Sequence, residues 1–539
     1  MVRKNSTSKF MALLVSAALV IAACGDDDDD EGAATTDGAA TPTAAESVPA
    51  ETTAPEEGGA ATTPEGTEAT DETEATAGGG GAPTEVTCDG EIDTSLDEQY
   101  GVNAGQMAQW LACAEEAPLE ADDSLEPFVI GLLNSEGDPS FTFPDITGGM
   151  TAAVEYINSE LGGIGSDLTT GTPGRPIQLE TCFIGLDPSD SVRCANELAA
   201  KNPAIVVQGF NNNSAGAYPV LDAAGVVNIS GIPVNPSDFN AEGVYGPAPG
   251  GGCVGAHPAL VEFAVNELGA RRVAVAYFDI PNGLVCYHDL EKKPMNVLNG
   301  SFAGPPDVEG SVPDLEHIGV PIPPTAPDLS TQATQILDFD PDAILYSAPV
   351  ASCLSLVNAL SGLGWNPEEA PAVFTGACFE QSQFEELGDK GDGIYFVSAK
   401  NPGEPETYEE GLLKDEAERY VAAMETHQPD VNMTGNGANV FMDMMLLWHV
   451  VTNAAAEAGL DGLDKETIEE AVGSTVDHHM WAAAPVSCGE PVEGYNSICN
   501  TLNTATQWNA ADQTRTVVKE DFDGAYIIAG TEVDPEVAG

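Results

Sequence analysis

The chain has 539 residues, room for about three domains at ~150 residues each, and sets 17 Lys+Arg against 87 Asp+Glu for a formal net charge of −70. No basic residue stands between Lys9 and Arg175. Nucleic-acid binding needs Lys and Arg to displace counterions from phosphates, so this balance excludes it and argues against polyanionic ligands; a solvated, self-repelling acidic surface on an exported protein is the expected use of the charge.

Residues 1–23 carry Arg3, Lys4 and Lys9 and then an apolar stretch over 10–23, the n- and h-regions of a secretory signal peptide and too short to span a bilayer comfortably. They close with Ile21-Ala22-Ala23-Cys24, which resembles a bacterial lipobox: an aliphatic residue and two small ones before a cysteine that is lipidated and becomes the mature N-terminus. Cys24 is the expected lipidation site, and several acyl chains anchor stably at about 0.8 kcal/mol per buried methylene. Residues 24–85 are Asp, Glu, Thr, Ala, Gly and Pro with almost no large apolar side chain, an expected disordered acidic linker. As a coil it spans about 40 Å. Asp26 to Asp30 read as a solvated charge run.

Setting Cys24 apart leaves ten cysteines, an even number that implies disulfides in an oxidising compartment. Sequence-local pairing is expected: Cys88–Cys113, Cys182–Cys194, Cys253–Cys286, Cys353–Cys378 and Cys488–Cys499. No CxxC…CxxC or HExxH spacing supports zinc, and no metal or cofactor is expected. His478-His479 reads as a surface turn. Residues 86–126 form a small disulfide-clipped helical segment, with Met107, Trp110 and Leu111 on one helix stripe.

From Pro127 the chain alternates strands and helices. Residues 128–133 (FVIGLL) read as a strand buried on both faces, 146–161 as a helix stopped by Gly162-Gly163, 176–182 as a strand and 188–201 as a helix. Strand 204–207, helix 214–224 and strand 226–229 continue the series. A second series follows: helix 258–268, strand 272–277, a Pro-rich connection over 304–329, helix 330–337, strand 343–346, helix 353–363 and strands 372–375 and 394–397. Helices 411–425 and 437–458 and a hairpin-like tail over 485–529 complete it. Such alternation predicts an α/β fold of two doubly wound parallel-sheet lobes. In parallel sheets, the loops beyond the carboxyl ends of strands line the ligand crevice. Asn211, Asn212, Asn213 and Ser214 are therefore expected there beside Ser230, Gly231 and Ile232. Ser135 and Phe141 from the first loop, Asn282, and Ala348 with Pro349 are further expected contacts. No G-x-S-x-G elbow or metal spacing supports an enzyme.

Three stretches carry a family resemblance. GMTAAVEYINSELGGIG (149–165), VVQGFNNNSAGAYPVLDAAGVVNISGIPVNP (206–236) and TATQWNAADQTRTVV (504–518) resemble the first helix, the third and fourth strands and the last strand of the type I solute-binding proteins, the branched-chain amino-acid binding family of bacterial ABC importers. The resemblance implies two lobes joined by a hinge, 127–256 plus 395–480 and 257–394 plus 481–529. It further implies a monomer that traps a small-molecule solute and hands it to a membrane permease driven by a separate ATPase, the chain itself having no G-x-x-x-x-G-K-[ST] loop. A sensory lipoprotein on the same fold is the alternative. The family's carboxylate-binding hydroxyl aligns with Asn211, its assisting threonine with Val234, and its ammonium-binding glutamate with Ala377 or Cys378. Cys378 is expected either at the ligand or in its disulfide, with Glu380 as a substitute acid. These departures favour a small polar, neutral solute such as an amide, with a branched-chain amino acid second.

Overall fold

In the computed structural model, the described residues are 86–138, 142–326 and 328–531. Cys24, the signal and linker segments and Phe141 lie outside them. β1 (Phe128–Ser135) is buried at every position but Val129, as a strand covered on both faces must be. It is followed by β2 (Ile177–Ile184), β3 (Ile205–Gln208), β4 (Val227–Ser230) and the short β5 (Val244–Tyr245), all parallel in the order β2-β1-β3-β4-β5. The helix Pro144–Glu160 returns from β1, with Pro144 in its first turn and Met150, Val154 and Ile157 turned to the core.

The second lobe repeats the plan. β6 (Arg272–Phe278), β7 (Glu316–Ile322), β8 (Ala343–Ser347), β9 (Ala372–Thr375) and β10 (Tyr395–Ser398) run parallel in the order β7-β6-β8-β9-β10. A two-stranded pair, β11 (His478–Met480) and β12 (Ala483–Val486), comes next in the chain. β13 (Leu502–Asn509) and β14 (Thr514–Asp523) then extend the second sheet antiparallel beyond β10. In each sheet the strand order reverses beside the first strand, at β1/β3 and at β6/β8, the switch points where crevices open in such folds.

Several elements differ from the sequence expectation. β7 falls inside the expected Pro-rich connection; it is an edge strand with alternating burial, and an edge tolerates Pro321 where a central strand would not. The helix expected from 258 begins at Gly252 and carries Pro258 inside it. Helical turns occupy Pro281–Tyr287 and Lys293–Leu298. β10 was expected with the first lobe, yet it lies between β9 and β13 in the second sheet. His478 and His479 are buried strand residues rather than a surface turn.

The long helix Gly437–Ala458 packs on the helix Pro144–Glu160 through two glycines: a Cβ on Gly149 would lie 2.1 Å from the Gly437 carbonyl oxygen. No helix among the described residues is long and apolar enough to cross a membrane. The helix Ala104–Glu116 covers the far part of the long helix, Trp110 meeting Trp448 edge-on at 5.2 Å and Gln106 bonded to His449 at 2.8 Å. The five disulfides are the sequence-local pairs.

The chain passes between lobes three times, and the three passages touch. Gly246 bridges to Ile498, a Cβ on Gly250 would lie 3.1 Å from the Ala399 nitrogen, and Asn503 Nδ2 donates to the Gly250 carbonyl at 3.4 Å. Gly250, Gly251 and Gly252 have φ of 73°, 65° and 56°, left-handed backbone that glycine alone takes readily.

Candidate functional site

Between the lobes lies a cavity of about 160 Å³, space for on the order of ten water-sized groups. From the second lobe, the carboxyl ends of β6, β8, β9 and β10 bring Tyr277, Phe278, Ser347, Ala348, Thr375 and Ser398 to its wall. From the first lobe come Phe143, Phe210, Ile232 and Val234, with Thr434 to Asn436 and Asn439 at the start of the long helix. Pro249, Gly250 and Asn503 of the crossovers also line it.

One amide sets the first-lobe wall. Asn134, fully buried at the end of β1, accepts from the Phe210 N–H at 3.1 Å and donates through Nδ2 to the Phe143 carbonyl at 2.8 Å. Ser135 adds two backbone bonds, its N–H to the Phe210 carbonyl at 3.0 Å and its carbonyl from the Phe143 N–H at 2.9 Å. The two phenyl rings consequently stack at 4.3 Å with 8° between their planes.

Of the residues expected at the ligand, Ile232, Asn282 and Ala348 line the cavity, as do Val234, Pro349 and Ala377. Asn211, Asn212, Asn213 and Ser214 do not; the Asn211 and Ser214 side chains turn into the first lobe. Asn211 Nδ2 donates to Ser191 Oγ at 2.9 Å and Gln208 Oε1 at 2.6 Å, and its Oδ1 accepts from the Asn213 N–H at 2.9 Å. Ser214 Oγ pairs with Ser237 Oγ at 2.8 Å, while Asn212 is buried away from the wall. Ser230 and Gly231 are held against β3, the Gly231 N–H donating to the Gln208 carbonyl at 2.8 Å. Ser135 is likewise buried beneath the wall. Cys378 is fully buried in its disulfide with Cys353, and Glu380 accepts from Ser382 at 3.0 Å and stays off the wall. Phe143, Phe210 and Asn134 were missed; an aromatic directly after the Gln208-Gly209 strand end was the available signal.

Three side-chain pairs reach the cavity, one between His257 and Glu291 and two ion pairs made by Arg515 and Lys400. His257 Nδ1 bonds Glu291 Oε1 at 2.9 Å, both side chains buried; burial pushes the Glu291 carboxyl up and His257 opposes it. Arg515 donates through Nε to Glu404 Oε1 at 2.8 Å and through a second nitrogen to the other oxygen, with its guanidinium 4.1 Å from the Phe379 ring centroid. Lys400 Nζ lies 3.0 Å from Glu520 Oε1. Cys253, His257 and Cys286 bring donor atoms within 4.8 Å of one another, but the sulfurs are joined, and metals take thiolates. An interlobe cavity lined by aromatic rings and a few polar groups has the make-up of a small-molecule site.

The sequence family described as periplasmic binding protein matches residues 128–484. No curated protein matches the chain. Among solved structures, a leucine-binding protein from Thermotoga maritima is similar at 14% identity and TM-score 0.53, covering 73% of this chain and 98% of its own. A branched-chain amino-acid transporter substrate-binding protein from Streptococcus pneumoniae, solved with isoleucine, gives 15% identity and TM-score 0.53 over 73% of this chain and 100% of its own. A fatty-acid ABC transporter substrate-binding protein from Thermomonospora curvata gives 13% identity and TM-score 0.56 over 77% and 99%. With its two doubly wound lobes, three crossovers and interlobe cavity, the chain belongs to the periplasmic binding protein family.

Proposed function

We propose that the chain is the extracytoplasmic solute-binding component of an ABC importer, tethered to the membrane by a lipidated Cys24. It closes two lobes on a small polar solute, an amino acid, amide or related compound, and presents it to a permease driven by an ATPase on other chains. The observation that carries this reading is the cavity itself: the carboxyl ends of both parallel sheets face it, and three adjacent crossovers join the lobes beside it. Such a layout supports closure as a shift between open and closed populations. The solved structures in complex with or named for amino acids and fatty acids span more than one solute class, so the solute follows from this chain's own wall.

Isothermal titration against a solute panel tests the proposal, with one solute class expected to bind. Phe210→Ala removes half of the ring stack and is expected to weaken that solute by about tenfold or more, since truncating a central aromatic anchor costs roughly 1–4 kcal/mol. Failure of every solute with well-folded protein would count against a receptor role.

A further inference from the structure

Where segment 86–126 docks on the body it meets three buried histidines, His449 of the long helix and His478 and His479 of β11, and their partners fix their charges. His449 Nε2 bonds Gln106 Oε1 at 2.8 Å, an oxygen that also accepts from Asn453 Nδ2 at 3.0 Å. An amide oxygen only accepts, so the His449 proton sits on Nε2; its Nδ1 is buried with no partner among the described residues. His478 donates through Nδ1 to the His479 carbonyl at 2.9 Å and faces a donor, Asn103 Nδ2, through Nε2 at 3.4 Å. Both rings are therefore neutral. His479 meets an acceptor at each nitrogen, the Tyr100 carbonyl at 3.0 Å and Glu416 Oε1 at 2.7 Å, and is the cation of the three.

The His449 and His478 rings lie 5.2 Å apart, with Trp110 of the segment covering His449 at 5.1 Å. Burial and the charges of His478 and His479 hold His449 well below its ordinary value. Burial lowers His478 too, whereas at His479 the burial is outweighed by Glu416. Asp97, on the segment, favours the charged forms of His478 and His479, its Oδ1 already accepting from the Gly105 N–H at 2.8 Å. Glu409 and Asp415 act on Tyr100, and Arg419 pairs with Glu115 at 2.8 Å on the exposed side of the seam. Backbone bonds cross at Val102, whose N–H donates to the Asp477 carbonyl at 2.6 Å and whose carbonyl accepts from the His479 N–H at 2.9 Å. The Cys88–Cys113 bond closes inside the segment, and no disulfide among the described residues crosses the seam.

We propose that this seam is an acid-released clasp: protons added at His478 Nε2 and His449 Nδ1 set a donor against Asn103 and leave a buried N–H without an acceptor, both beside the His479 cation, so that segment 86–126 detaches while the lobes stay folded. Turning the Asn103 amide over relieves the first conflict and leaves three positive rings in one seam. Once released, His449 and His478 titrate near about 6.5. Below that pH, release takes up two protons, and docking weakens by up to about a hundredfold per pH unit. His479 acts in the opposite sense only above about 6.5, where docking takes up its proton; below, it is charged in both states. Release turns the segment from part of the body into slack between its upstream end and the lobes.

Hydrogen–deuterium exchange of the full chain from pH 7.5 to 5, corrected for the intrinsic pH dependence of exchange, reads the clasp, because a detached helix of 13 residues is marginal in water. Amides of 104–116 are expected to lose at least about tenfold of their protection below about pH 6, while those of β1 and β3 keep theirs. His449→Gln keeps a donor for Gln106 and takes up no proton; His478→Asn does the same toward the His479 carbonyl. The double variant is expected to hold 104–116 protected down to pH 5. If it misfolds, as its melting curve at pH 7.5 reports, His449→Gln alone replaces it and is expected to halve the pH slope. Protection of 104–116 persisting at pH 5 in the parent, its loss in step with β1 and β3, or a variant profile equal to the parent's overturns the clasp.

Discussion

Asp443 projects from the long helix toward Gly231, where a Cβ would lie 3.3 Å from its Oδ2, and neither of its oxygens has a hydrogen-bond partner among the described residues. Burial pushes its carboxyl well above the ordinary value. An acid with a higher pKa folded than unfolded holds its proton better in the native state, so it favours folding at low pH. That preference is lost as pH rises from the unfolded carboxylate range near about 4 toward the folded pKa. Asp443→Asn keeps the shape and has no proton to lose. Its urea midpoint is expected to exceed the parent's at pH 7, the gain shrinking as pH is lowered toward about 4; parallel pH profiles for the two proteins would refute this. The same scale explains which site residues were legible. Ile232, Asn282 and Ala348 line the cavity and could be read to it from strand ends, because topology fixes where a strand stops. Asn211 could not be, since its direction depends on Ser191 and Gln208, partners from other elements that satisfy its amide inside the lobe.

Among elements, alternation of apolar runs and helix stripes made both lobes readable, and the spacing of ten cysteines made the disulfides readable. What escaped were elements that break local rules for tertiary reasons. β7 holds Pro321 because its outer edge is unpaired, and the helix Gly252–Glu262 accommodates Pro258 in its interior, where a sequence rule starts a helix at the proline. The Cys253–Cys286 bond ties that helix to the one at Pro281–Tyr287 across 33 residues, directly under the cavity. Replacing both cysteines by serine is expected to lower stability by about 3–4 kcal/mol on the chain-entropy account, read as a drop in denaturant midpoint. It should also weaken solute binding, because Asn282 lies in the tied helix; unchanged affinity with lowered stability would mean that the bond serves the fold alone.

For the whole molecule, the touching crossovers decide how the lobes move relative to each other. Gly251 stands at φ 65°, and a Cβ there would lie 2.2 Å from the Asn500 carbonyl oxygen, so any side chain forces two crossovers apart. Gly251→Ala is expected to destabilise by roughly 1–3 kcal/mol and to change the closed fraction, which small-angle scattering with and without solute reads as an altered compaction; a wild-type scattering response would place the pivot elsewhere. Among the described residues, the segment 86–126 is fastened to elements of the first lobe. The Cys88–Cys113 bond and the Trp110–Trp448 contact join the chain's entry at residue 86 to the long helix, and that helix packs on the first lobe. Through these contacts the segment 86–126 and the first lobe are expected to move as one jaw, with the second lobe swinging against them about the crossovers.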